Sequence, residues 1–254
     1  MDKISAVIIA LNEEKRIGRC LDSLVGIVDE VLVVDGHSTD RTVHICRERG
    51  ARVVQAEWRG YAETKNFGNA LASHDAILSI DSDEALSPEL GRSIVAIKGE
   101  PSSLYEFNRL ANYCGRWIRH CGWYPDRKLR LFDRRVARWE GEVHEKLVHE
   151  PSLPVRHLQG DLLHYSFASL SDHLRRADRY SELAATDFLR RRKSGAFPRL
   201  LFSPPVKFLK SYFLERGFQD GFAGFCICSI SAFDLFLRYV KVIDMQRRGT
   251  EARA

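Results

Sequence analysis

Two carboxylates spaced two residues apart, Asp81 and Asp83, close the run Ile80-Asp81-Ser82-Asp83-Glu84 directly after the apolar stretch Ala76-Ile77-Leu78-Ser79. In an extended chain residues i and i+2 point to one side. The spacing therefore predicts a carboxylate pair able to hold one hard cation, and Mg2+ typically takes one or two carboxylates together with substrate phosphates. An ordinary acidic turn carries the same letters, so the pair gains meaning from its surroundings. Two other polar groups stand in comparable places. Asn12-Glu13-Glu14 follows the apolar run Ser5 to Ala10, and Asp35 follows Val31-Leu32-Val33-Val34.

These positions need elements to hold them. Ser5 to Ala10, Val31 to Val34, Arg52-Val53-Val54-Gln55 and Ala76 to Ile80 predict four short strands. Between the first two, Ile17, Cys20, Leu21 and Leu24 recur at helical spacing within 13–25. A second helix, offered caps by Ser38-Thr39-Asp40, runs through Val43, Ile45 and Cys46 to a stop at Gly50. A third, 61–72, carries Phe67, Ala70 and Leu71 on one face. Apolar strands alternating with helices predict an α/β fold with a mainly parallel sheet covered on both faces. In open sheets of this kind ligands bind beyond the carboxyl ends of the strands, which is where Asn12, Glu13, Asp35, Asp81 and Asp83 collect.

At 254 residues and 44% hydrophobic, the chain can bury a full core. No run of eighteen uncharged apolar residues occurs, so no spanning helix is expected. Met1-Asp2-Lys3-Ile4 leads straight into a strand pattern, and no signal peptide is expected. The six cysteines form no Cys-x-x-Cys pair, which reads as reduced cytosolic thiols. The net charge of +5 is unevenly spread. Residues 1–100 carry 12 Lys and Arg against 17 Asp and Glu; residues 101–254 carry 27 against 17. A basic back half suits an anionic partner: nucleic acid, an anionic membrane surface and a phosphorylated substrate all satisfy that one fact.

From Leu104 the texture changes. Leu104 to Tyr113 and Leu129 to Phe132 predict further strands. Between them, residues 115–126 interleave Trp117, Trp123 and Tyr124 with Arg116, Arg119 and His120. That composition suits a binding surface, and also a packed hairpin with snorkelling arginines. After Leu170 the chain reads as helix, with bases at 175–176 and 190–193 and a phenylalanine-rich stretch from Phe202 to Val242. Apolar faces with flanking bases suit a helix lying in a membrane interface; packing on protein or in a homodimer is the competing reading. The predicted division is an α/β domain over 1–165 and a helical, basic and aromatic region over 166–254.

With these elements placed, the sequence resembles family 2 glycosyltransferases of the GT-A, Rossmann-like fold. The carrying motifs are Ile8-Ile9-Ala10-Leu11-Asn12-Glu13-Glu14, Val33-Val34-Asp35-Gly36-His37-Ser38-Thr39-Asp40, Lys65-Asn66-Phe67-Gly68-Asn69 and Asp81-Ser82-Asp83-Glu84. Each is weak alone, but four in order over residues 4–150 are specific. Within that family the chain is similar to enzymes that glucosylate the inner core of lipopolysaccharide. Tyr113 to His120, Gly122-Trp123-Tyr124-Pro125-Asp126, Arg130-Leu131-Phe132 and Val143-His144-Glu145 carry this likeness. One departure stands out: the family's turn after strand two usually reads Asp-Ser-Gly-Ser, and here Gly36 and His37 replace Ser and Gly. His37 then occupies a position that often needs positive φ.

The resemblance implies an inverting transfer of one sugar, since the Gln-x-x-Arg-Trp motif of similar processive synthases is missing. It implies a nucleotide-sugar donor, favouring UDP, with Asp35 at the base and Asn12 and Glu13 near base and ribose. Asp83, with Asp81 close by, would hold Mg2+ or Mn2+ against the diphosphate, and Lys65 would lie near phosphate. Glu145, expected at a helix start, is the first candidate for the base that takes the acceptor proton, and Asp126 the second. Arg116, Arg119, Arg127 and Arg130 are the candidates for acceptor phosphates. The acceptor would be a lipid-linked anionic saccharide, met by a peripheral protein at the cytoplasmic face of the membrane. A nucleotidyltransferase shares such a sheet and carboxylate pair but usually shows a Gly-rich basic loop after strand one, which Leu11-Asn12-Glu13-Glu14-Lys15 is not. A nucleic-acid-binding module would account for the basic balance, but no binding motif is present, and no nucleic-acid partner is expected.

Overall fold

The computed structural model describes residues 3–100, 104–141, 145–191 and 193–251. The chain forms two compact units. The first comprises residues 1–110 and 126–164, the second 111–125 and 165–254. In chain order the first unit holds β1 (Ile4–Ala10), α1 (Ile17–Asp22), β2 (Glu30–Asp35), α2 (Thr42–Glu48), β3 (Arg52–Gln55), α3 (Tyr61–Leu71), β4 (Ala76–Ser79), β5 (Glu84–Leu86) and α4 (Pro88–Ala96). Strand β6 (Leu104–Tyr113) passes into the second unit, which contains β7 (Arg116–Ile118). The chain returns through β8 (Asp126–Asp133), β9 (Ala137–Glu140) and β10 (Lys146–His149), and β11 (Val155–Phe167) leaves again.

The main sheet has the order β3-β2-β1-β4-β8-β6-β11-β5, with β7 on β6. Parallel pairing joins β3, β2, β1 and β4. Beyond β4 the strands run antiparallel: β8 pairs with β4 and with β6, and β5 with β11. The α/β class holds, and the parallel character belongs to the first eighty residues. The reason is connectivity, because parallel neighbours need crossover helices, and from β6 to β11 the chain supplies none among the described residues.

The first strand shows why its residues read as a continuous apolar run. Ile4, Ala6 and Ile8 pack with Ile17, Cys20, Leu21, Leu90 and Ile94 on one face of the sheet. Val7 points the other way, into a cluster with Leu32, Ala62, Ile77 and Phe132. Both faces are covered, so alternation vanishes from the sequence. Helix α3 lies close against this second face, and a Cβ on Gly68 would stand 2.6 Å from Val7 Cγ1 and 2.9 Å from Val34 Cγ2.

In the second unit, α5 (Leu170–Arg190) and α6 (Ala196–Leu209) lead into a π-helical turn (Lys210–Leu214), a 3-10 turn (Gly217–Asp220) and α7 (Gly221–Glu251). Tyr113, Ile118, Cys121, Ile227 and Cys228 form one core, and Ala185, Phe188, Ala196, Tyr239 and Val242 another. The segment 111–125 groups with this unit through backbone bonds. Cys114 N donates to Phe167 O at 2.9 Å, and Cys121 N to Glu215 O at 3.0 Å.

Candidate active site

The loops after β1 and β2 are laced together by short polar side chains. Asp35, fully buried at the end of β2, accepts from the backbone N of Ser38 at 2.9 Å, from the Ser38 hydroxyl, and from the Gln55 amide at 3.2 Å. Asn12 N donates to Ser38 Oγ at 2.8 Å, and Asn12 Oδ1 accepts from Thr39 N at 2.9 Å. Glu13 N donates to Thr42 Oγ1 at 2.7 Å. Asn12, Glu13 and Asp35, picked out by sequence, thus share one rigid platform. The turn keeps its left-handed position with histidine in place of glycine, since His37 has φ of 63°.

The third loop meets this platform. Residues 81–84 do not run extended. They form a turn in which Glu84 N donates to Asp81 O at 3.0 Å and Asp81 N donates to the buried Glu84 Oε2 at 3.0 Å. Within this turn the two aspartates have different ion-pair partners. Asp81 faces Lys65 Nζ at 3.0 Å through Oδ1 and Arg130 Nη2 at 2.9 Å through Oδ2. Asp83 faces His164 Nε2 at 3.4 Å. Burial opposes ionisation of Asp81, but the Arg130 guanidinium and Lys65 ammonium outweigh it and hold this carboxyl well below the usual range. Burial pushes Glu84 up, and the Asp81 charge adds to that. Glu13 is likewise raised by burial, against the pull of Arg16, with the Asp83 charge contributing.

The motif Lys65-Asn66-Phe67-Gly68 supplies the rest. Lys65 is 2% exposed on α3 and bridges Asp81 to Glu145, whose Oε1 lies 3.2 Å away. Asn66 clasps β9, accepting from Trp139 N at 3.0 Å and donating to Trp139 O at 2.8 Å. That fixes the Trp139 ring, and Lys65 Nζ and the Arg130 guanidinium stand 4.7 and 5.4 Å from its centroid. Nε and Nη1 of Arg130 are buried without a hydrogen-bond partner among the described residues. An incoming phosphate or carboxylate oxygen would satisfy such donors.

Of the site residues expected from sequence, the structure gathers Lys65, Asp81, Arg130 and Glu145 into one ionic cluster. Glu145 precedes the strand β10 rather than starting a helix, and Glu142, Val143 and His144 lie outside the described residues. Asp126 is held by Arg109 at 2.8 Å and Lys128 at 2.9 Å. Arg127, on the same strand β8, pairs with Glu106 at 3.0 Å. Arg116 and Arg119 belong to the second unit. There Arg119 N and His120 N both donate to Asp220, at 3.4 and 2.9 Å, and Arg116 lies beside Gly221.

Sequence reading missed His164, Glu84 and Trp139. A lone histidine in the apolar run Leu162-Leu163-His164-Tyr165 was the available signal for the first, and Trp139 carried none. No three His, Cys, Asp or Glu side chains stand together as a metal cage among the described residues. Asp83 and His164, 3.4 Å apart, are of the residue types that would suit a divalent cation, with Asp81 in the same turn. One carboxylate and one imidazole leave most of the coordination sphere for diphosphate oxygens and water.

The family model for glycosyl transferase family 2 matches residues 5–141. An uncharacterized glycosyltransferase of Rickettsia typhi is 34% identical over 98% of this chain and 89% of its own length. The lipopolysaccharide core biosynthesis glycosyltransferase LpsC of Rhizobium meliloti is 30% identical over 98% of this chain and 94% of its own. Among solved structures, glucosyl-3-phosphoglycerate synthase from Mycobacterium tuberculosis, in complex with Mn2+, UDP and glucosyl-3-phosphoglycerate, is 31% identical over 43% of this chain and 44% of that one, with a TM-score of 0.36. The chain belongs to glycosyltransferase family 2, and it is an α/β protein of the GT-A class.

Proposed function

We propose that this glycosyltransferase moves one hexose, glucose, from a UDP-sugar to a hydroxyl of a lipid-linked anionic saccharide such as the lipopolysaccharide inner core, with inversion at the anomeric carbon. The observation that carries the reading is the ionic cluster Lys65–Asp81–Arg130–Glu145 beside the Asp83–His164 pair, at the carboxyl ends of the parallel strands. The likeness to LpsC supports the class of acceptor.

The nucleoside would lie on the platform of Asn12, Glu13 and Asp35. A Mg2+ or Mn2+ held by Asp83 and His164 would neutralise charge on the leaving diphosphate. Lys65 and Arg130 place two cations against Asp81 and leave buried Arg130 donors for an anionic oxygen. As the acceptor oxygen forms its bond to the anomeric carbon, the bond from that carbon to the diphosphate oxygen breaks, and the acceptor proton passes to Glu145. Lys65 engages Glu145 Oε1, so Oε2 is the oxygen assigned to the proton. Asp126, already bound by two cations, suits that task less. The acceptor, being lipid-linked, would be met at the cytoplasmic face of a membrane by a peripheral protein.

The test is product analysis with UDP-glucose, Mn2+ and a lipid-linked core acceptor. UDP release with one hexose added supports the proposal. Release of inorganic diphosphate would instead mark a nucleotidyl transfer, and transfer without metal dependence would remove the role given to Asp83 and His164.

A further inference from the structure

The second unit carries a helix turned inside out. Ala196 and the half-buried Leu200 and Phe208 give α6 its packed stripe. Most of its remaining circumference is apolar and open to solvent. Phe197, Leu201, Phe202, Val206 and Leu209 are 53 to 68% exposed, and Phe213 in the following π turn is 55% exposed. Residues three and four apart lie on one helical face, so these side chains form one broad stripe. Apolar residues scattered singly over a surface are ordinary, whereas a contiguous patch marks an interaction site.

The charge around the stripe is one-sided. From residue 193 to 225 the bases are Lys193, Arg199, Lys207, Lys210 and Arg216, and the acids are Glu215 and Asp220. Both acids are engaged within the unit. Asp220 is buried, accepting from His120 N at 2.9 Å and contacting His120 Nδ1 at 3.0 Å. Glu215 is half-buried and pairs with Lys210 at 3.4 Å. No exposed carboxylate remains within that stretch of the described residues. A second copy on the same face would set this basic rim against itself. An anionic bilayer offers phosphate to the rim and acyl chains to the rings, at the depth interfacial helices reach. No helix among the described residues is long and apolar enough to cross a membrane, so the contact is in-plane. Of the arginines that the sequence put forward for this role, Arg190 and Arg191 both pair with Asp187, at 2.7 Å each, and Arg192 lies outside the described residues.

Resting on the lipid-linked acceptor of the proposed function, we propose that α6 and the π turn after it are the face that docks on an anionic lipid bilayer, with Phe197, Leu201 and Phe202 inserting between headgroups. The experiment is sedimentation of the full chain with vesicles of phosphatidylcholine mixed with phosphatidylglycerol, and with phosphatidylcholine alone. Binding to the mixed vesicles, weakening as salt rises, is expected, and the triple variant F197S/L201S/F202S is expected to lower the partition coefficient about tenfold or more. Leu174→Ser, a 46% exposed position on α5, is the control and should bind as the parent does. Equal binding of the triple variant, or equal binding of the parent to neutral vesicles, would overturn the proposal. So would a parent dimer that the triple variant makes monomeric without any vesicle binding, since a second copy would then cover the face. UDP-dependent thermal stabilisation is read on the same proteins. If the parent docks as expected but ignores UDP, the proposed function fails and the docking face stands.

Discussion

The two units treat charge and apolar surface in opposite ways. The first takes charge inside: Lys65, Glu84 and Arg130 are at most 6% exposed, and each lies within ion-pair distance of an opposite charge. The second puts phenylalanine outside and sets several of its charges in local i, i+3 and i, i+4 pairs, such as Arg176 with Asp172 and Arg191 with Asp187. Buried ion pairs cost desolvation and rarely improve stability over apolar packing. Exposed rings forgo burial worth roughly 1.5–3 kcal/mol each. Neither pattern is what stability alone would select, and each points to a ligand: an anion for the first unit, a lipid surface for the second.

The sharpest way to break the first half of this contrast is at Glu145. Glu145→Gln is expected to lower turnover by about 10²–10⁴-fold, the usual share of general base catalysis, with UDP binding nearly unchanged. Asp126→Asn should have the smaller effect, because Asp126 is engaged by Arg109 and Lys128. Steady-state kinetics on both variants decide it, and the reverse ranking would move the base to Asp126.

Lys65→Met separates structural from functional use of the buried charges. It leaves Arg130 as the remaining cation on Asp81, and breaking one partner from a buried ionic cluster typically costs about 3–5 kcal/mol. Urea denaturation should show that loss. A variant as stable as the parent would mean that solvent reaches the cluster more freely than 2% exposure of Lys65 implies.

A smaller effect is expected in the second unit, where His173 is buried, its Nδ1 2.9 Å from the Tyr113 hydroxyl. Burial pushes its pKa down to about 4, with Asp172 opposing and Arg176 adding to the shift. In the unfolded chain histidine titrates near 6.5. Between these values the unfolded state binds a proton that the fold refuses. Stability from this group is therefore full above about pH 6.5 and falls as pH drops toward 4, by on the order of 1–3 kcal/mol. Stability measured over that range should lose this slope in His173→Gln.

The sequence made the sheet legible where burial leaves a simple signature. β3 at Arg52–Gln55 and β6 at Leu104–Tyr113 occupy the ranges read from it, because short runs of β-branched, apolar and aromatic residues bounded by polar ones suit a strand, half-buried at the sheet edge in β3 and largely buried in β6. Helix α1 is shorter than the periodic stretch 13–25, since the chain runs in turns before Ile17 and after Asp22, where Leu24 continues the apolar pattern outside the helix. Candidate residues within short motifs could be found from one dimension: Asp35 and Asp81 at parallel strand ends, and Lys65 on α3. His164 could not, because it reaches Asp83 from an antiparallel strand eighty residues away. The separate pairing of Asp81 and Asp83 was equally hidden. It depends on the buried Glu84 closing the turn, and that choice is made by tertiary packing rather than by spacing.

Every role proposed for the first unit depends on an anionic nucleotide meeting Asp83 and His164. The direct measurement is the thermal shift produced by UDP, with and without Mn2+, in the parent and in Asp83→Ala. A nucleotide at a hundred times its Kd stabilises by about 2.7 kcal/mol, which a thermal melt resolves. The parent is expected to gain stability from UDP chiefly when Mn2+ is present. Asp83→Ala, altering a side chain that is 20% exposed, should melt like the parent without ligand and lose the Mn2+-dependent gain. Equal stabilisation of the parent by UDP with and without Mn2+, or an undiminished Mn2+-dependent gain in Asp83→Ala, would contradict it.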